Sequence, residues 1–157
     1  MTELFDQRKA RSETRILIAD DDMFMRSVIK KTLKGMGETI EDERGDNVLK
    51  LYQEHLPDVV LLDIHMPGKQ GFDLLKELLA FDPTAYIVMI SSDATRENVM
   101  RSINEGAKGF VGKPFNPTVL KKYVQFCETV QNGEAASEAQ LAPSMIMPQT
   151  EAGTAAA

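Results

Sequence analysis

Short apolar runs alternate with longer stretches of helical period along the central part of the chain. Residues 15–19 form a first apolar run, and Met25, Val28, Ile29, Leu33 and Met36 then recur at the three-and-four spacing of one helix face. Gly35 and Gly37 end that helix. A weaker, polar strand is predicted over 38–42, then a helix over 46–55 whose buried side is Val48, Leu49, Leu51 and Tyr52, closed by Pro57. The most apolar run, 58–64, is followed by a helix at 71–81, a strand at 85–91, a helix at 95–106 and a strand at 108–112. A last helix runs from Pro117, in its first turn, to about Val130. The pattern thus predicts five strands alternating with five helices. Strands that are apolar throughout, rather than at every second position, are buried on both faces. The class is therefore α/β, a parallel five-stranded sheet between two helix layers.

In an open sheet of this kind the ligand site lies outside the carboxyl ends of the strands. The first strand runs into Asp20, Asp21 and Asp22, the third ends in Asp63, the fourth in Ser91 and Ser92, and the fifth in Lys113. Carboxylates brought within a few ångströms repel unless a cation or a proton sits among them. A hard divalent cation such as Mg2+, held by a few oxygens plus water and phosphate, suits an open acidic pocket. A helix cap explains one Asp here, Asp22, but not three.

Composition narrows the class. The 157 residues suffice for one domain with modest extras. A net charge of -6 gives no global basic field for nucleic acid or an anionic membrane. The apolar runs are far short of the ~20 residues that cross a bilayer, and the start of the chain lacks a secretory pattern. The single cysteine, Cys127, makes no internal disulfide, which favours a reducing cytoplasm. Residues 1–14 are polar without periodicity, and residues 132–157 hold eight Ala, three Glu and no Lys or Arg. Both ends are expected to be flexible, the tail as a disordered Ala-rich segment whose Leu141, Met145, Ile146 and Met147 are too few for a core. The folded domain is expected over 15–131. Met23, Met25, Met36 and Cys127 fall on helical spacing and are expected to pack in or near the core.

Four segments together, ILIADDD at 16–22, DVVLLDIHMPG at 58–68, MISS at 89–92 and KPF at 113–115, resemble the receiver domains of two-component response regulators, the CheY-like family. The resemblance covers about residues 14–131. It implies a flavodoxin-like, doubly wound sheet of order 2-1-3-4-5, with Asp63 as phosphoacceptor, Ser91 as the hydroxyl after strand four and Lys113 as the family lysine. It implies Mg2+ held by Asp21 and Asp63, by Asp20 mostly through water, and by the backbone carbonyl of His65. It further implies a cis Lys113–Pro114 bond, a switch role for Phe110, and tuning of phosphate hydrolysis by His65, Ser92 and Asp93. Ser92 departs from the Ala or Gly common in the family.

The function expected from the resemblance is a stand-alone cytoplasmic response regulator. It would accept a phosphoryl group from a histidine kinase or histidine phosphotransfer protein onto Asp63, catalysing only its own phosphorylation and dephosphorylation. Its output would be docking to a downstream protein through the face of the fourth helix, fifth strand and fifth helix, or onward relay of the phosphate. Direct nucleic-acid binding and membrane insertion are not expected. An aspartyl-phosphate phosphatase of the haloacid dehalogenase type would need an acidic residue where His65 stands. A flavodoxin-like cofactor module would need a loop of free amides in place of three aspartates. A degenerate receiver acting as a phosphorylation-independent scaffold would have lost part of the set Asp20, Asp21, Asp63, Ser91 and Lys113, all of which are present.

Overall fold

The computed structural model describes residues 2–130, so the segment expected to be a disordered tail lies outside the described residues. Five parallel strands, β1 (Arg15–Ala19), β2 (Glu38–Asp42), β3 (Val59–Leu62), β4 (Ile87–Ser91) and β5 (Gly109–Gly112), form one sheet in the order β2-β1-β3-β4-β5. Alternate residues of the central strands feed two separate cores, which is why these strands are apolar at every position. Leu17, Ala19, Val60 and Leu62 face α3 (Val48–His55), α4 (Gly71–Phe81) and α5 (Arg96–Asn104). Ile16, Ile18, Val59 and Leu61 face α2 (Met23–Thr32) and α6 (Pro117–Gln125).

Most element ends fall within a few residues of the predicted ones. A short 3-10 turn, Gly45–Asn47, takes the place of the first turn of the helix expected from residue 46, and α6 stops at Gln125 rather than Val130. Met23 is 72% exposed rather than packed, because it occupies the first position of α2 and points away from the sheet layer, as does Phe24 beside it.

The flexible segment expected over 1–14 is corrected. Thr2–Ala10 is a helix, α1, making six α-helices rather than five among the described residues. This helix has no apolar stripe for a periodicity reading to detect. It is held instead by Arg8, whose side chain is buried at the amino ends of the strands. Arg8 Nη1 donates to Asp82 Oδ2 at 2.6 Å and to the Tyr52 hydroxyl at 3.3 Å, and Nη2 donates to Thr84 Oγ1 at 2.8 Å. Arg11 Nη2 donates to Asp58 Oδ2 at 2.8 Å, tying the following turn to the start of β3. A fork of donors meeting a carboxylate that already accepts from Tyr52 and Thr84 is a satisfied buried network.

Two glycines sit where another backbone or ring leaves no room for a side chain. A Cβ on Gly71 would lie 2.3 Å from the carbonyl oxygen of Asp63, so α4 starts directly against the end of β3. A Cβ on Gly109 would lie 2.1 Å from the ring of Tyr123, so β5 and α6 are in direct contact there.

Candidate functional site

The backbone places the site residues as the last rungs of the sheet. Asp20 N–H donates to the carbonyl of Asp42, Asp63 N–H to that of Ala19, and Lys113 N–H to that of Ser91, at 2.9 to 3.0 Å. Each side chain therefore leaves a strand end whose position the ladder fixes, on rigid rather than loop backbone. The Lys113–Pro114 bond is cis, as the resemblance implied.

Asp20, Asp21 and Asp63 bring carboxylate oxygens within 4.8 Å of one another. Asp20 and Asp63 are buried and Asp21 is exposed. Lys113 reaches between the two buried acids: its Nζ donates to Asp20 Oδ2 at 2.5 Å and to Asp63 Oδ2 at 3.1 Å. The Asp20–Asp21–Asp63 group, three carboxylates against the one ammonium of Lys113, carries two surplus formal negative charges, and it faces a cleft of about 540 Å³ that is open to solvent and lined also by the capping residue Asp22 and by Met25, His65, Ser92 and Pro114. Burial pushes the Asp63 carboxyl above the usual Asp range, and the Asp20 charge adds to this against the opposing pull of Lys113. For Lys113, burial works to lower the ammonium, but the hydrogen bond to Asp20 and the charges of Asp63 and Asp20 prevail and raise it. Asp22 stands apart from the carboxylate group as the α2 cap: its Oδ1 accepts from Phe24 N–H at 2.9 Å and Met25 N–H at 3.4 Å.

The remaining predicted residues divide by position. Ser91 is buried, and its hydroxyl accepts from Asp93 N–H at 3.1 Å, whereas its neighbour Ser92 is exposed and lines the cleft. His65 Nε2 and Asp93 Oδ2 pair at 2.9 Å, joining the loop after β3 to the loop after β4 beside the cleft. That hydrogen bond raises His65 above its ordinary range and lowers Asp93. Phe110 is fully buried in the core shared by α3, α4 and α5. Arg26 was not singled out in the sequence. Its Nη1 donates to the carbonyl of Asp20 at 2.7 Å and its Nε to Glu41 at 3.0 Å, bracing the loop that carries the acids. An arginine one turn into a helix that starts beside acids is the signal that could have found it.

The division between Asp21 and Asp22 sets a test. Asp21→Ala is expected to weaken Mg2+ binding in a titration well beyond Asp22→Ala. Asp22→Ala should act as the loss of a cap, about 0.5–2 kcal/mol of stability. The opposite ranking would shift the metal-binding register by one residue.

Comparison with known proteins agrees with this geometry. The family model described as the response regulator receiver domain matches residues 16–125. The chemotaxis protein CheY of Thermotoga maritima is 38% identical over 106 residues, covering 66% of this chain and 88% of the relative. CheY of Bacillus subtilis is 43% identical over 103 residues, covering 64% and 86%. Among solved structures, a CheY-like receiver domain protein from Methanospirillum hungatei aligns with a TM-score of 0.69 at 28% identity, covering 82% of this chain and all of that one. CheY in the CheX-CheY-BeF3-Mg2+ complex of Borrelia burgdorferi aligns at 0.67 and 28% identity, covering 71% and 87%. With the family model spanning well over half of the sequence and the acids and lysine gathered at the ends of a 2-1-3-4-5 sheet, the chain belongs to the receiver domain family of CheY-like response regulators.

Proposed function

We propose that Asp63 accepts a phosphoryl group from the phosphohistidine of a histidine kinase or phosphotransfer protein, and that the phosphorylated domain is read by a downstream protein or passes the phosphate on. The observation that carries this reading is the convergence of Lys113 Nζ on Asp20 and Asp63, with Asp21 beside them. An Asp carboxylate is a competent nucleophile toward phosphorus. Its oxygen bonds phosphorus as the P–N bond of the donor breaks. Lys113 would hold a phosphoryl oxygen, and the Ser91 hydroxyl, at the end of the adjoining strand β4, would take another.

The two surplus formal charges of the Asp20–Asp21–Asp63 group fit a divalent cation, which Asp21 and Asp63, with Asp20 and the backbone carbonyl of His65 as the resemblance implies, would hold. When bound, Mg2+ supplies neutralisation of the equatorial oxygens during transfer. Catalysis is confined to the domain's own phosphorylation and dephosphorylation. The His65–Asp93 pair, tying two loops beside the cleft, and the exposed Ser92 on its wall support a role for all three in limiting how water reaches the acyl phosphate. With Phe110 already inside, the change that a partner reads on the α5–β5–α6 face centres on the loop after Ser91.

Incubating the chain with Mg2+ and acetyl phosphate tests the reading. One phosphoryl group per chain is expected, stable in acid and labile in base, as an acyl phosphate is. Absence of a base-labile label under these conditions rejects the proposal.

A further inference from the structure

The turn after β1 holds three successive acids against their own repulsion, with Asp20 buried and Asp21 exposed at the cleft. Each polar group of Asp20 has a partner. Its N–H donates to the carbonyl of Asp42 at 3.0 Å, its Oδ1 accepts from Asp22 N–H at 2.9 Å, and its Oδ2 accepts from Lys113 Nζ. Its carbonyl accepts from Arg26 Nη1 at 2.7 Å. That carbonyl belongs to the planar peptide group joining Asp20 to Asp21, so the guanidinium fixes the plane from which the Asp21 side chain departs.

Arg26 is itself held from the other side. It stands one turn into α2 and is buried, and its Nε donates to Glu41 of β2 at 3.0 Å, with Glu43 at 3.8 Å from Nη2. Lys30 Nζ, one turn further along α2, also meets Glu41, at 2.9 Å. Two cations thus face two carboxylates, and this group is formally neutral. Arg26 therefore braces the turn while the Asp20–Asp21–Asp63 group keeps its two surplus negative charges. A planar fork suits the task, since donors at fixed angles reach a carbonyl beyond β1 and a carboxylate on β2 in one geometry.

We infer that Arg26 is a positioning residue for the divalent cation: by fixing the Asp20–Asp21 peptide it sets the approach of the Asp21 carboxylate to Asp63, and with it the affinity of the cleft for Mg2+. The inference rests on the reading of the cleft as a Mg2+ site. Mg2+ is titrated into the full chain at neutral pH, well below the melting temperature, while backbone amides are followed by NMR. The unaltered chain is compared with Arg26→Gln and Arg26→Lys. Charge and position predict opposite signs in Arg26→Gln. Removing a positive charge beside an acidic cleft would by itself tighten Mg2+ binding. Loss of the brace should instead weaken it about tenfold, the low end of the range of about 10–100-fold for groups that orient a metal ligand. Arg26→Lys keeps the charge but has no fork to serve two acceptors, and should weaken binding at least about threefold. A purely structural role would lower the melting temperature and leave both affinities unchanged. In metal-free Arg26→Gln the Asp21 amide should shift while those of β4 stay in place. Affinity in Arg26→Gln equal to or above that of the unaltered chain, or undiminished affinity in Arg26→Lys, would overturn the inference alone. An unaltered chain without saturable shifts at residues 20–22 and 63–65 would reject the reading of the cleft as a cation site, and the inference with it.

Discussion

Asp63→Asn is expected to abolish the acetyl phosphate label and, at neutral pH without divalent cations, to raise the melting temperature. The first effect follows from the nucleophile: an amide oxygen carries no charge to donate to phosphorus. The second follows from the direction of the Asp63 shift. Burial, with help from Asp20, raises the folded-state value above the ordinary Asp value. A carboxyl raised on folding contributes its full stability below the unfolded value, and that contribution is lost as pH rises through the folded one. At pH 7 the ionised Asp63 is therefore a liability, which the neutral isostere removes while Lys113 keeps Asp20 as its partner. Lys113→Ala provides the contrast. It leaves the nucleophile in place but removes the cation between the two buried acids, and labelling should slow by about 10²–10³-fold, the usual range for losing one preorganised donor. Divalent-cation affinity should rise in the same variant, since three carboxylates then face no ammonium. Stoichiometric label in Asp63→Asn, or an unchanged rate in Lys113→Ala, would contradict the assigned roles.

Arg8→Ala should be the most destabilising single change outside the two cores. It removes the cation from a buried pair and strands the Asp82 carboxylate with only Tyr52 and Thr84 as donors. Breaking a buried pair from one side costs about 3–5 kcal/mol. At roughly 2–8 °C per kcal/mol for domains near this size, the melting temperature should fall by at least about 6 °C. The pH dependence is a second readout. Burial works to raise Asp82, but the hydrogen bonds from Thr84, Tyr52 and Arg8 together prevail and lower it. A carboxyl lowered on folding contributes stability above its unfolded value of about 3.9, lost as pH falls through the folded value. Arg8→Ala removes part of that lowering, so acid unfolding should begin at higher pH. A melting curve matching that of the unaltered chain would show that α1 is not anchored through Arg8.

What the sequence disclosed and what it hid follow from the range of the interactions involved. Burial of β1, β3 and β4 on both faces writes itself into consecutive residues such as Val59–Leu62, and the acids, hydroxyls and lysine follow their strands directly. Helix α1 could not be found this way. Its anchor is one arginine meeting Asp82, 74 positions away, and no local periodicity records such a pairing. The His65–Asp93 pair is of the same kind: each residue stands beside a strand end in the sequence, but their contact across 28 positions is a property of the folded loops. Phe110 was legible as a strand residue, whereas its complete burial depends on helices contributed by distant parts of the chain.

The fit of Gly109 against the Tyr123 ring bears on how this sequence can drift. Any side chain at 109 would place its first carbon 2.1 Å from the ring, and the overlap is with a rigid aromatic rather than a flexible tip. Neither neighbour can yield easily, since both β5 and the Tyr123 side of α6 are buried. A larger residue at 109 is therefore tolerated only alongside a smaller one at 123, and shrinking Tyr123 alone would leave a cavity between sheet and helix. The two positions should vary as a coupled pair among descendants of this sequence, with single changes at either one purged and compensated double changes surviving.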